Sequence, residues 1–197
     1  GHSDWSADGM QPHLADKMLE YLDENKDSDK PFFLYMALTA LHIPLFPSKE
    51  FKGKSKIGDY GDLVMMIDDI VGRVNRKLKE IGKYDNTIVM FAADNGCAGY
   101  INMDRINRKG HYPSYIYRGY KSHGWEGGHR IPFILLWGDR YGHVTDNSLV
   151  SLTDLYATFA DMLGYRMADD EAEDSFSFWP ILDDSGNSAR TDLIATS

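Results

Sequence analysis

Thr87-Ile-Val-Met-Phe-Ala-Ala-Asp94-Asn95-Gly96 is an apolar run that ends on a carboxylate, a carboxamide and a glycine. A strand that is apolar on both faces is one that expects cover on both faces. Such a strand delivers two hard oxygens side by side and then turns at once, which looks like half of a site for a hard cation. The same tripeptide is also an ordinary turn after a strand. The rest of the chain has to decide between the two.

Working outward, Asp59 to Ile81 carries Leu63, Met66, Ile67, Ile70, Val74, Leu78 and Ile81 on one stripe, which predicts a long amphipathic helix. Asp59 or Asp62 is placed to cap its start, and Gly82 to stop it. Residues 11–25 predict a helix through Leu14, Met18, Leu19 and Leu22, and Leu152–Leu163 predicts another, closed by Gly164. Short apolar runs at Pro31–Ala37 and Ile131–Trp137 read as strands, and Leu193–Thr196 as the start of a fourth. Between them, His42–Lys56 reads as a lysine-bearing loop and Gly99–Gly128 as mostly loop, while 169–174 reads as a solvated acidic loop. Strands alternating with helices predict an α/β fold: a mixed, largely parallel sheet flanked by helices. In such folds sites form beyond the carboxyl ends of strands. Nothing in the composition asks for a split, so the expectation is one domain over 1–197.

The 197 residues are 43% hydrophobic and 26% charged, with a formal net charge of −9. An acidic chain argues against a nucleic-acid backbone as main partner, but an anionic small substrate needs only local positive charge. No run reaches the ~18 apolar residues of a membrane helix. The one cysteine, Cys97, excludes an internal disulfide and reads as a small half-buried residue in a turn. His111, His123, His129 and His143 lack ligand spacing for zinc. Asp68 and Asp69 are adjacent on a helix and point about 100° apart, so they do not share a metal or a proton.

Two side chains are placed to meet an anion. His42 follows the first apolar run in Leu41-His42-Ile43-Pro44, where it can hold an anion or donate a proton. Lys121 lies in a glycine-rich stretch, Gly119-Tyr-Lys121-Ser-His-Gly-Trp-Glu126-Gly-Gly-His-Arg130, where backbone can approach a ligand closely. Glu126 and Arg130 are spaced to pair and fix that loop.

Taken in order, Pro31-Phe-Phe-Leu-Tyr, His42-x-Pro, Ile67-Asp-Asp-x-Val-Gly72, Asn86 to Gly96, and Lys121-x4-Glu126-Gly-Gly-x-Arg130-Ile-Pro132 resemble the type I sulfatases, the arylsulfatase family. Ser151 to Gly164 and Ser175-Phe-Ser-Phe-Trp-Pro-Ile-Leu182 are similar too. The resemblance implies an alkaline-phosphatase-like fold and cleavage of sulfate esters at a calcium site. It implies calcium ligation by Asp94 and Asn95, contact of His42 with sulfate, and binding of a sulfate oxygen by Lys121. It further implies a sulfated small molecule or glycan as partner and an extracytoplasmic location.

One part of the family pattern is missing. The nucleophile is a formylglycine made from Cys or Ser in Cys/Ser-x-Pro-x-Arg, and this sequence holds no such motif; Leu45-Phe-Pro-Ser-Lys49 and Cys97-Ala-Gly99 both fail it. The early pair of aspartate ligands is absent as well. The expectation is therefore an incomplete catalytic domain, inactive by itself, with weak or absent calcium binding and a sheet edge open to self-association. Two other readings keep their place: a phosphonate or phosphodiester hydrolase of the same superfamily, and a non-catalytic module that binds sulfated glycans.

Overall fold

The computed structural model describes residues 6–194, which fall into two compact units, one running to Gly142 and one beginning at His143. In the first unit, α1 (Met10–Glu24) and α2 (Asp59–Glu80) pack together. Ala15 and Met18 of α1 cluster with Leu63, Met66 and Ile70 of α2, and Phe51 joins the same cluster. These positions recur at three- and four-residue spacing, so each helix gives one apolar face to the seam. Two ion pairs line the rim, Arg73–Asp16 at 2.6 Å and Lys77–Asp23 at 3.2 Å. Each carboxylate is at least half exposed, so such a pair contributes about 0–1 kcal/mol and the apolar seam carries the contact.

The expected helices at 11–25 and 59–81 are present within a residue or so, but neither expected cap forms at the start of α2. Gly58 stands at the N-cap in a left-handed conformation (φ 85°). Asp59 instead pairs with Lys52, and the buried Asp62 accepts from the N–H groups of Gly53 and Ser55 at 2.7 and 2.6 Å. Both carboxylates serve the preceding loop rather than the helix end.

Thr87–Ala93 and Ile131–Trp137 yield β1 (Ile88–Ala92) and β2 (Phe133–Trp137). They pair antiparallel, with Met90 opposite Leu135 at the centre. This pair is the whole sheet among the described residues, so the largely parallel sheet expected from the sequence is not what these residues form. The physical reason lies at Pro31–Ala37, which joins no ladder. Met36, Leu38 and Ala40 alternate onto the α1–α2 cluster while Phe33 and Tyr35 are 72% and 80% exposed. The segment has the period of a strand but packs on helices by one side. Leu193 and Ile194 form no strand, and 195–197 lie outside the described residues. The long 99–128 stretch is mostly loop, broken by α3 (Met103–Asn107) and the opening of α4 (Glu126–His129).

The second unit holds α5 (Leu155–Leu163) and α6 (Trp179–Leu182). Its hub is Asp154, fully buried, whose oxygens take Arg190 Nε and Nη2 at 2.8 and 2.7 Å and the N–H groups of Ser151 and Phe176 at 2.7 and 2.9 Å. Burial by itself pushes this carboxyl up. The Arg190 guanidinium and the two N–H donors outweigh burial and hold it below the usual carboxylate range.

Because the folded value is depressed, the stabilisation is present above the unfolded value of about 3.9 and is lost as pH falls below it. Unfolding of the second unit should therefore ease with acidification below that point. Asp154→Ala should cost about 3–5 kcal/mol by stranding Arg190, measured by urea denaturation. A variant as stable as the wild type would remove Asp154 from the role of hub.

Candidate active site

The loop after β1 and the loop leading into α4 are joined through backbone. Gly96 N–H donates to Gly128 O at 2.9 Å, and Lys121 N–H donates to Cys97 O at 2.8 Å. Gly127 N–H closes the second loop on Arg118 O at 2.8 Å. The approach is too tight for side chains: a Cβ on Gly96 would stand 2.8 Å from Gly127 C and 2.9 Å from Gly128 C. One on Gly128 would stand 2.9 Å from Tyr120 O. Glycine is the residue that permits such backbone-to-backbone contact.

These bonds bring the Asp94–Asn95 corner beside Lys121. His42 reaches the same region through packing. Its ring meets Tyr100 edge-on at 5.8 Å. Its neighbour Leu41 joins Cys97 and Ala98 around a buried cluster of Tyr60, Ile101 and Ile106. All four residues singled out in the sequence thus stand on loops that share backbone bonds or a common floor. No hydrogen bond or ion pair links their side chains to one another among the described residues.

Each of the four keeps reactive atoms uncommitted. Asp94 is exposed, and its carboxylate has no partner among the described residues. Asn95 donates Nδ2 to Gly96 O at 3.1 Å, which leaves Oδ1 as an acceptor. The half-buried Lys121 has no partner for its ammonium among the described residues. His42 Nδ1 lies 2.7 Å from Ile43 O; a carbonyl only accepts, so Nδ1 carries a proton and Nε2 is the nitrogen left for chemistry.

Two consecutive hard oxygens suit calcium, and they are a minority of the six to eight that calcium takes. The fit is that of one corner of a coordination sphere. Among the described residues no three His, Cys, Asp or Glu side chains come together as a metal cluster. Cys97 is half-buried, with its sulfur 3.9 Å from Tyr60 Oη. Burial pushes the thiol up, so at neutral pH it is a poor nucleophile.

Glu126 and Arg130 form the anticipated pair at 2.6 Å, and the Arg130 hydrogen bond holds the Glu126 carboxyl below its usual range. Gln11 was not foreseen. It is buried, and with its amide turned to face the donors its oxygen takes Thr39 Oγ1 and the N–H groups of Thr39 and Ala40, at 2.5, 3.1 and 2.9 Å. It thereby ties α1 to the segment that presents His42. A glutamine four residues before Ala15, on the apolar stripe of a helix, was the available signal.

Residues 8–165 match the model of the Sulfatase family. The chain is 33% identical over 174 residues to an N-acetylgalactosamine-6-O-sulfatase of Bacteroides thetaiotaomicron, covering 87% of this chain and 34% of that protein. It is 36% identical over 172 residues to the human N-acetylgalactosamine-6-sulfatase, covering 82% and 31%. A solved structure from work on the metabolism of multiple glycosaminoglycans by Bacteroides thetaiotaomicron superposes with a TM-score of 0.85 at 31% identity, covering 94% of this chain and 39% of that one. Ps i-CgsB, solved in complex with k-i-k-neocarrahexaose, gives 0.72 at 27% identity, covering 90% and 39%. The chain spans about a third of the length of the curated relatives it matches.

Gly96→Ala should part the two loops. The expected loss is about 1–3 kcal/mol in stability, with the Gly96 and Lys121 amides losing hydrogen-exchange protection. Unchanged protection at both amides would show that the interlock does not hold the corner in place.

Proposed function

The chain belongs to the sulfatase family, and from that premise we propose that it supplies one side of the sulfate pocket of a sulfuric ester hydrolase. The observation that carries this is the joining of the Asp94 loop to the Lys121 loop by Gly96 N–H to Gly128 O and Lys121 N–H to Cys97 O. It holds a carboxylate and an ammonium on neighbouring loops with neither committed to a partner. A free carboxylate beside a carboxamide oxygen suits a cation, and a free ammonium suits an anion.

In this reading Asp94 and Asn95 are calcium ligands, and Lys121 and His42 bind the substrate. Calcium, when bound, neutralises charge on the sulfate oxygens. Lys121 adds a fixed positive charge where negative charge grows in the transition state. His42 contacts the sulfate through Nε2; its Nδ1–H bond to Ile43 O fixes the ring. The family match over 8–165 runs through the boundary between the compact units at Gly142, which supports a single partial catalytic domain over 1–197. The substrate is a sulfated small molecule or glycan, and the location is extracytoplasmic.

Attack on sulfur needs a nucleophile, and the sequence contains no Cys/Ser-x-Pro-x-Arg motif to furnish the formylglycine. The 197-residue chain alone is therefore expected to give no aryl sulfate turnover above background. Its calcium titration is expected to show a Kd no tighter than about 1 mM, abolished by Asp94→Asn. A micromolar calcium site would contradict that ligand count. In the full-length gene product, Lys121→Ala should lower kcat/KM for an aryl sulfate by about 10²–10³. Preference of that protein for phosphate esters or phosphonates would overturn the sulfatase reading. Tight glycan binding without any hydrolysis would replace it with a binding module.

A further inference from the structure

Four lysines crowd residues 49–56 and three basic residues crowd 105–109, in a chain whose formal net charge is −9. The fold brings the two stretches together. Lys109 Nζ donates to Lys56 O at 2.5 Å, and the Arg105 guanidinium lies 3.5 Å from where a Cβ on Gly58 would stand. The basic side chains are exposed at every one of these seven positions. Glu50 is the acidic residue within the two stretches; Asp104 flanks the second and Asp59 pairs with Lys52, so the seven basic side chains still outnumber the acidic ones locally.

This surface is also held in shape. Asp62 binds the N–H groups of Gly53 and Ser55, Lys52 pairs with Asp59 at 2.9 Å, and Lys54 lies over the Phe51 ring at 4.8 Å. Beneath it, Ile57 packs on Tyr60, Ile101 and Ile106. Leu41 and Cys97, the neighbours of His42 and Gly96, pack on those same three residues. The basic surface and the candidate sulfate pocket therefore share one apolar floor.

We propose that the basic surface formed by residues 49–56 and 105–109 binds a linear sulfated polysaccharide and guides its chain to the pocket. This rests on the sulfatase reading and names the substrate class as polymeric. An acidic protein repels a polyanion everywhere except where cations are gathered, so this surface sets where a sulfated chain lies. Chain binding here is electrostatic and independent of the pocket's grip on one sulfate ester.

The test is binding of chondroitin sulfate chains to the 197-residue protein by calorimetry across a salt series, with duplex DNA as comparator. Lys56→Glu with Arg108→Glu should weaken binding at least ~10-fold and lower the slope of log K against log salt, as loss of cation contacts to a linear polyanion requires. Lys56→Gln with Arg108→Gln should do the same to a smaller degree and guards against misfolding of the reversed pair. Lys26→Glu, an exposed change on a different surface, should leave binding unchanged. Binding that survives both double variants, or duplex DNA held as tightly as chondroitin sulfate, overturns the proposal. The readout needs no turnover, so failure to hydrolyse sulfate esters and failure of this surface are separate results.

Discussion

The bond from Gly96 N–H to Gly128 O is the constraint on which the site depends. A Cβ at 96 would stand within 3 Å of the Gly127 and Gly128 backbone, so this approach needs glycine, and glycine stands at 96, 127 and 128. Once they touch, the carboxyl end of β1 and the entry to α4 become one surface, and Asp94 and Lys121 share it across 27 residues of chain. A methyl group at Gly96 would part the Asp94 loop from the Lys121 loop without altering either side chain.

Under that surface, packing and polar satisfaction divide the work. The α1–α2 seam is apolar and sets where the His42 segment starts, through Met36, Leu38 and Ala40. Gln11 then fixes the segment by accepting from its backbone. The Tyr60–Ile101–Ile106 cluster supports Leu41 and Cys97 from below. His42, Lys121, Asp94 and Asn95 themselves make few contacts. That leaves their polar atoms open to the charged ligands of the proposed function.

The second unit follows a different plan. It is organised by a buried ion pair, Asp154–Arg190, with Ser151 and Phe176 satisfying the remaining carboxylate valences. Such a pair is favourable only when fully hydrogen-bonded, and it then fixes one arrangement of the chain around it. The apolar periodicity of 152–163 predicts its helix, but nothing in the spacing of 154 and 190 announces the pair.

The sequence by itself determined the helices, whose three- and four-residue apolar spacing is a local property, and the two runs that became β1 and β2. It also singled out Asp94, Asn95, His42 and Lys121, because each lies at a glycine or proline break after or before an apolar run. It did not determine the sheet. Whether Pro31–Ala37 enters a ladder depends on the neighbours available to pair with it, and here its inward side chains pack on helices instead. Nor did it show that Asp62 would serve a loop or that Gln11 would hold another. Those choices hang on which buried donors lack acceptors once the chain is folded, and tertiary contact alone creates that shortage.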